Sequence, residues 1–189
     1  FVVENKPKNI AHDVLYSTFM SKAESFDLFI KLDADMVLNK NDFMIMVKSR
    51  FEKNQKLDWL HIYIWDDIIQ EYISGLNIYR STVKWDKNNT DNTFTDRKHR
   101  CDSISQKLVV KNPDNKWVIH CKSPSLYQLI NFSTHRAIKA FQFHKKSSLR
   151  RPESIHGIIP QKLLRVWITH RSKGHAYALL AYLNILSIK

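Results

Sequence analysis

Two short, mostly apolar runs that each stop at a pair of acids constrain this chain more than any other feature. Residues 26–32 (FDLFIKL) run into Asp33-Ala34-Asp35, and residues 57–65 (LDWLHIYIW) run into Asp66-Asp67. Runs of this length and composition suit strands buried in the sheet of an α/β protein. Around them, apolar residues recur at helical spacing. Ile10, Val14, Leu15 and Phe19 predict a helix over 11–23 once Pro7 has ended the opening segment, and Phe43, Met46, Val47 and Phe51 predict a second helix that Asn41 and Asp42 can cap. Strands alternating with helices imply an α/β fold.

The second half continues the pattern. Residues 75–80 (GLNIYR) predict a short strand, 87–100 (KNNTDNTFTDRKHR) a polar loop, and Trp117-Val118-Ile119 a brief strand ending at His120-Cys121. Helical spacing returns over 126–145, with Ile130, Ala137, Ile138 and Phe141 on its apolar side. Pro152 and Pro160 mark a linker, and 161–189 reads as one or two basic amphipathic helices around Gly174. The expected organisation is a domain over 1–150 followed by a basic helical extension over 151–189. Phe1-Val2-Val3-Glu4 reads as a strand already under way, so a domain lacking its extreme N-terminus is expected.

Composition closes off several classes. A chain of 189 residues that is 43% hydrophobic can build a core without disulfide or metal staples, and it is too apolar to stay disordered despite its charge. Three Gly leave no Gly-rich phosphate loop. Thirty Lys and Arg against 18 Asp and Glu give 30 − 18 = +12, which favours a polyanionic partner such as nucleic acid, an anionic membrane face or phosphorylated substrates. The longest apolar stretch, 176–188, falls short of the ~20 residues that cross a bilayer. Cys101 and Cys121, without a secretory signal, are expected to be reduced, in a cytoplasmic protein.

The most chemistry sits in Asp33-Ala34-Asp35. Carboxylates at i and i+2 at the carboxyl end of a buried strand project into the crevice where open α/β sheets bind ligands. There they can hold Mg²⁺ or Mn²⁺ through oxygen while diphosphate oxygens take the other metal positions. The competing expectation is a polar turn whose aspartates cap the next helix.

The block FDLFIKLDADMVLNKNDF resembles the metal and nucleotide-sugar motif of GT-A glycosyltransferases of the family 2 type. The later segment HCKSPS with LYQLINFSTHRAIK is similar to the carboxyl-terminal part of bacterial members acting on surface polysaccharides. Together the two matches frame residues 26–139. The resemblance implies a GT-A-like (Rossmann-like) mixed sheet flanked by helices, with a C-terminal helical extension. It also implies a metal-dependent transfer of sugar from a nucleotide-sugar donor to a glycan or lipid-linked acceptor. Asp35 then binds Mn²⁺ or Mg²⁺, and Asp33 contacts the ribose or the metal. A His from a later strand or loop completes the site, with His120 chosen over His135 because a strand end points into the same crevice. The family's first strand and uracil-binding aspartate have no counterpart here, and Glu4 and Asn5 at best end its second strand. An inverting enzyme further needs a carboxylate base near the acceptor. Asp96 is the candidate, ahead of Asp91, Asp102, Asp66 and Asp67.

Two other classes compete. His99, Cys101, His120 and Cys121 offer the ligand types of a structural zinc site, without its usual spacing. Basic clusters interleaved with Trp85, Phe94, Trp117 and Trp167 offer a nucleic-acid-binding surface. The transferase reading expects no nucleic-acid partner. It also expects peripheral contact with the inner face of the membrane through 161–189, where Arg165, His170, Arg171, Lys173 and Lys189 accompany Trp167, Tyr177, Leu179, Leu180, Tyr182, Leu183, Ile185 and Leu186.

Overall fold

The computed structural model describes residues 2–4, 6–87, 100–111, 116–146 and 158–187. In chain order these form helix α1 (Lys8–Ser21), strands β1 (Leu28–Lys31) and β2 (Met36–Leu38), and helix α2 (Phe43–Lys53). Strands β3 (Leu57–Asp66), β4 (Glu71–Arg80), β5 (Gln106–Val110) and β6 (Val118–His120) follow, and then helices α3 (Leu126–Lys146), α4 (Ile159–His170) and α5 (Lys173–Ser187). The chain is α/β. Its strands hydrogen-bond into a mixed sheet in the order β1-β4-β3-β6-β2, with β5 also paired to β3. The anticipated opening strand is not formed: Val2, Val3 and Glu4 lie in irregular backbone. An extended segment becomes a strand only when a neighbour takes up its backbone hydrogen bonds. Asp96, Asp91 and most of the polar loop fall at 88–99, outside the described residues, as do Pro152 and the rest of 147–157.

The described residues belong to two compact units. The first comprises Phe1–Ala34, Leu38–Ile64 and Ile73–Val118. Here β1 pairs antiparallel with β4, and β3 pairs parallel with β5. Pro7 caps α1 in an extended conformation, and Tyr16 and Phe19 carry the helix onto Phe29, Tyr79, Val83 and Trp85. The aromatic rings interlock: Phe19 stacks on Phe29 with centroids 4.4 Å apart, and Tyr16 stacks on Trp85 at 4.9 Å. Aromatic pairs of this geometry contribute ~0.5–1.5 kcal/mol each beyond their buried area. Trp85 and Trp117 are core residues, 2% and 9% exposed, so neither offers a face for base stacking.

Helix α2 presents Phe43, Val47 and Phe51, spaced four apart, to the interior, but the Asp42 side chain forms no cap hydrogen bond. The helix is instead tied down at its far end. The Arg80 guanidinium donates to the carbonyls of Phe51, Asn54 and Leu57 at 3.0–3.3 Å, which satisfies the orphan acceptors between α2 and β3. Across β3 and β4, Asn77 Oδ1 accepts from Trp59 Nε1 at 3.0 Å and from His61 Nδ1 at 2.7 Å. Ser74 Oγ donates to His61 Nε2 at 3.0 Å. Burial holds the His61 pKa below its usual value and keeps the ring neutral, as this arrangement requires.

The second unit comprises Asp35–Val37, Trp65–Tyr72 and Ile119–Lys189. Its helical part assembles around α5, which packs on both α3 and α4. Gly174 sits against Leu129 of α3, leaving 2.7 Å between a Cβ placed there and the Leu129 methyl. Helix α4 begins with Pro160 in its first turn, buries Ile159, Leu163 and Val166, and ends where Arg171 takes a left-handed conformation (φ 51°). The break between the two helices thus falls just before Gly174, which lies inside α5. Glu71 binds Lys162 and Arg165. The apolar residues of the last two helices divide between two sides: Ala178 and Tyr182 are buried, whereas Trp167, Ile168, Tyr177, Leu180 and Leu183 are exposed. Among the described residues no helix is long and apolar enough to cross a membrane.

In the first unit Gly75 on β4 packs closely, and an added Cβ there falls 2.3 Å from Ile64 Cδ1 and 2.5 Å from its Cγ1. Gly75→Ala should lower stability by ~1–3 kcal/mol through overpacking, and Ile64→Val, which removes the nearest methyl, should recover part of that loss in the double variant. Urea denaturation measures both, and additive losses would contradict the contact.

Candidate metal centre

The centre is built from three chain segments of the second unit: the turn after β3, the turn after β6, and Asp35 immediately before β2. The first follows β3. Asp66 is fully buried, yet its carboxylate is saturated: Oδ1 accepts the backbone N–H of Ile68 at 2.8 Å and of Ile69 at 2.9 Å, and Oδ2 accepts from His120 Nδ1 at 2.8 Å. An aspartate that hydrogen-bonds its own backbone two and three residues on makes a side-chain-closed turn. Asp67 continues it, accepting from Trp65 Nε1 at 2.9 Å and from the Ser123 N–H at 3.1 Å. His175 braces the same turn from α5 by donating to the Ile68 carbonyl at 2.8 Å.

The second turn follows β6. Trp65 and Asp66 pair in parallel with Ile119 and His120. The chain then passes through Cys121 (φ 50°) and Ser123 (φ 52°), two non-glycine residues in the left-handed region. Each such residue costs ~1–2 kcal/mol, so the surroundings must hold it there. They do so through the Cys121 N–H, which donates to the Asp35 carbonyl at 2.7 Å, and through the contact of Ser123 with Asp67. A capping box then starts α3: Gln128 Oε1 accepts from the Ser125 N–H at 2.9 Å, and Ser125 Oγ accepts from the Gln128 N–H at 3.3 Å.

Three different ligand atoms converge as a result. His120 Nε2 lies 3.2 Å from Asp35 Oδ2, and Cys121 Sγ lies 3.7 Å from each of them. These are the residues whose ligand atoms cluster closely enough to share a metal ion among the described residues. The cysteine is buried and the imidazole nearly so, while 42% of the Asp35 side chain faces solvent and leaves the centre open on that side. Burial alone would lower the His120 pKa, but hydrogen bonds to Asp35, Asp66 and Cys121 and the charge of Asp66 overcome it, and the group is pushed up to about 12. The same imidazolium holds the Asp35 carboxyl below its usual range. Arg136, its guanidinium 4.9 Å from the centre of the Phe132 ring, adds a positive charge that attracts Asp66.

The residues expected from the sequence divide clearly. Asp35 and His120 meet. Asp33 is no member of the cluster: it is half exposed and pairs with Lys31 at 3.3 Å. His135 lies exposed on α3 and is likewise outside the cluster. Asp102 sits in an exposed single turn at Cys101–Ser103. Of the four-ligand zinc set, His99 lies outside the described residues, as does the side chain of Cys101. Asp66 entered the sequence reading only as a remote candidate base and Cys121 only as part of that zinc set. The available signals were an acid at the end of an apolar strand and a thiol adjacent to a candidate ligand. No protein-family model, curated protein or solved structure matches the chain.

Without metal, a proton on His120 Nε2 occupies the line to Asp35, so a metal that binds there must displace it. With the His120 pKa pushed up to about 12, binding must expel this proton and, where Cys121 ligates as thiolate, the thiol proton as well, so metal affinity should climb at least about tenfold per pH unit through the neutral range, with no plateau near pH 6.5. Calorimetric titrations in buffers of different ionisation enthalpy read both the slope and the protons released. An affinity flat between about pH 7 and about pH 8 would contradict a protonated His120.

Proposed function

We propose that the chain is a divalent-metal-dependent glycosyltransferase that moves a sugar from a nucleotide-diphosphate donor to a hydroxyl acceptor. The observation that carries this reading is the meeting of Asp35, from the D-x-D block, with His120 at the end of β6, within 3.2 Å. That pair is the one implied by the resemblance to GT-A enzymes of the family 2 type. A mixed α/β sheet with His120 at the carboxyl end of β6 supports it further.

The donor set fits a divalent cation: a carboxylate oxygen, an imidazole nitrogen and a sulfur, with one side open to solvent. A bound cation supplies positive charge against the charge that builds on a departing diphosphate. The chain's own residues do the remaining work. Asp35 anchors the exposed side, where a donor enters. Asp66 fixes the His120 ring by taking its Nδ1 proton in a hydrogen bond, which leaves Nε2 to serve as ligand and prevents rotation. Asp33 is assigned no metal contact, since it lies outside the cluster and its Oδ1 pairs with Lys31.

UDP and GDP serve as probes in a calorimetric titration against the metal-loaded and chelator-stripped chain. Binding should require the metal and should be lost in Asp35→Ala, whose exposed carboxylate contributes little packing and whose circular dichroism should match wild type. Asp33→Ala should retain metal-dependent binding. Nucleotide affinity that survives both the chelator and Asp35→Ala rejects the proposal.

A further inference from the structure

The resemblance implies Mg²⁺ or Mn²⁺ held by carboxylate oxygen and a histidine nitrogen, but the centre also contains a sulfur. Neither ion favours thiolate: Mg²⁺ demands octahedral oxygen coordination, whereas thiolate and imidazole together select borderline-soft ions such as Zn²⁺ and Co²⁺. The spacing of the three ligand atoms discriminates further. Tetrahedral bonds of ~2.0–2.2 Å to nitrogen and oxygen and ~2.3 Å to sulfur place the first two atoms ~3.4 Å apart and the sulfur ~3.6 Å from each. Bonds of the same lengths at the right angles of an octahedron place them only ~2.9 Å and ~3.1 Å apart. The separations here are 3.2 Å between Asp35 Oδ2 and His120 Nε2 and 3.7 Å from Cys121 Sγ to each. The two distances to sulfur match the tetrahedral values, and the 3.2 Å separation falls between the two geometries.

We infer that Cys121 is a metal ligand and that the centre binds a tetrahedral borderline-soft cation, Zn²⁺ or Co²⁺, through Asp35, His120 and Cys121, with the fourth position open. The inference deepens the transferase reading and rests on it only for what occupies that fourth position. Three protein ligands with one free position are the pattern of catalytic zinc sites, whereas structural sites close with a fourth side chain. The orientation of the ligands is already set. Asp66 holds His120 in the carboxylate–histidine relay common to such sites. The hydrogen bond from the Cys121 N–H to the Asp35 carbonyl fixes two ligand residues against each other at 2.7 Å, with Cys121 in a conformation it would not adopt unaided. Solvent reaches the centre from the Asp35 side.

The test is a Co²⁺ titration of the reduced chain followed by absorption. A thiolate-to-cobalt charge-transfer band should appear together with the intense visible bands of tetrahedral Co²⁺. Zn²⁺ should abolish both, and a large excess of Mg²⁺ should not. Cys121→Ser should lose the charge-transfer band and weaken Zn²⁺ binding by more than the ~10–100-fold expected from losing a supporting contact such as Asp66. Cys101→Ser should keep the band. A wild-type titration without a sulfur band overturns the inference whatever the variants do, and so does a band that persists in Cys121→Ser or is competed away by Mg²⁺. The two readings fail separately: metal-dependent nucleotide binding without a sulfur band removes this inference alone, and a sulfur band without nucleotide binding removes the transferase proposal alone.

Discussion

A single buried carboxylate organises the centre. Asp66 has no exposed surface, and a charge so placed is tolerated only when its acceptor positions are filled. Two of its partners are backbone amides that close the turn after β3, and the third is the His120 ring. Local chain reversal and ligand orientation therefore share one group. Removing it would orphan both amides, at ~1–3 kcal/mol for each buried donor, and would free the imidazole to rotate. Placing the charge at the end of a strand is efficient, because the pairing of β3 with β6 sets His120 directly opposite Asp66.

The segment after β6 complements this anchor with stored strain. Cys121 and Ser123 occupy left-handed backbone that neither glycine nor asparagine relieves. The cost is met by one hydrogen bond to the Asp35 carbonyl, another to Asp67, and the capping box that starts α3 within a few residues. Strain of this kind concentrates where geometry matters to chemistry, and here it brings two adjacent side chains, His120 and Cys121, to bear on one point.

The sequence made the long elements legible because each carries its own signal. Residues 57–65 anticipated β3 to within one residue, and the spacing of Phe43, Val47 and Phe51 anticipated the buried face of α2. Strands β2 and β5 were invisible. Met36–Leu38 is too short and too exposed to show a period, and Gln106–Val110 owes its extended form to β3 beside it. Tertiary pairing overrides local propensity in such segments. At the centre, the D-x-D spacing singled out Asp35 and the end of a short strand singled out His120, although Asp35 lies beyond β1 and immediately before β2. Asp66 could not be read as an anchor, because a strand-end acid looks the same in sequence whether it meets solvent or is sealed in the interior. Trp85 and Trp117 show the same limit from the other side: aromatic residues among basic clusters suggest a stacking surface until burial assigns them to the core.

The proposal that Asp35, His120 and Cys121 jointly hold one metal ion is open to direct test in crystals soaked with Zn²⁺ and measured on both sides of the zinc absorption edge. One strong anomalous peak is expected within ~2.0–2.3 Å of Asp35 Oδ2, His120 Nε2 and Cys121 Sγ together, with His120 Nδ1 still bonded to Asp66. A peak bound by Asp33 and Asp35 without His120, or no peak at this centre at saturating Zn²⁺, would contradict it.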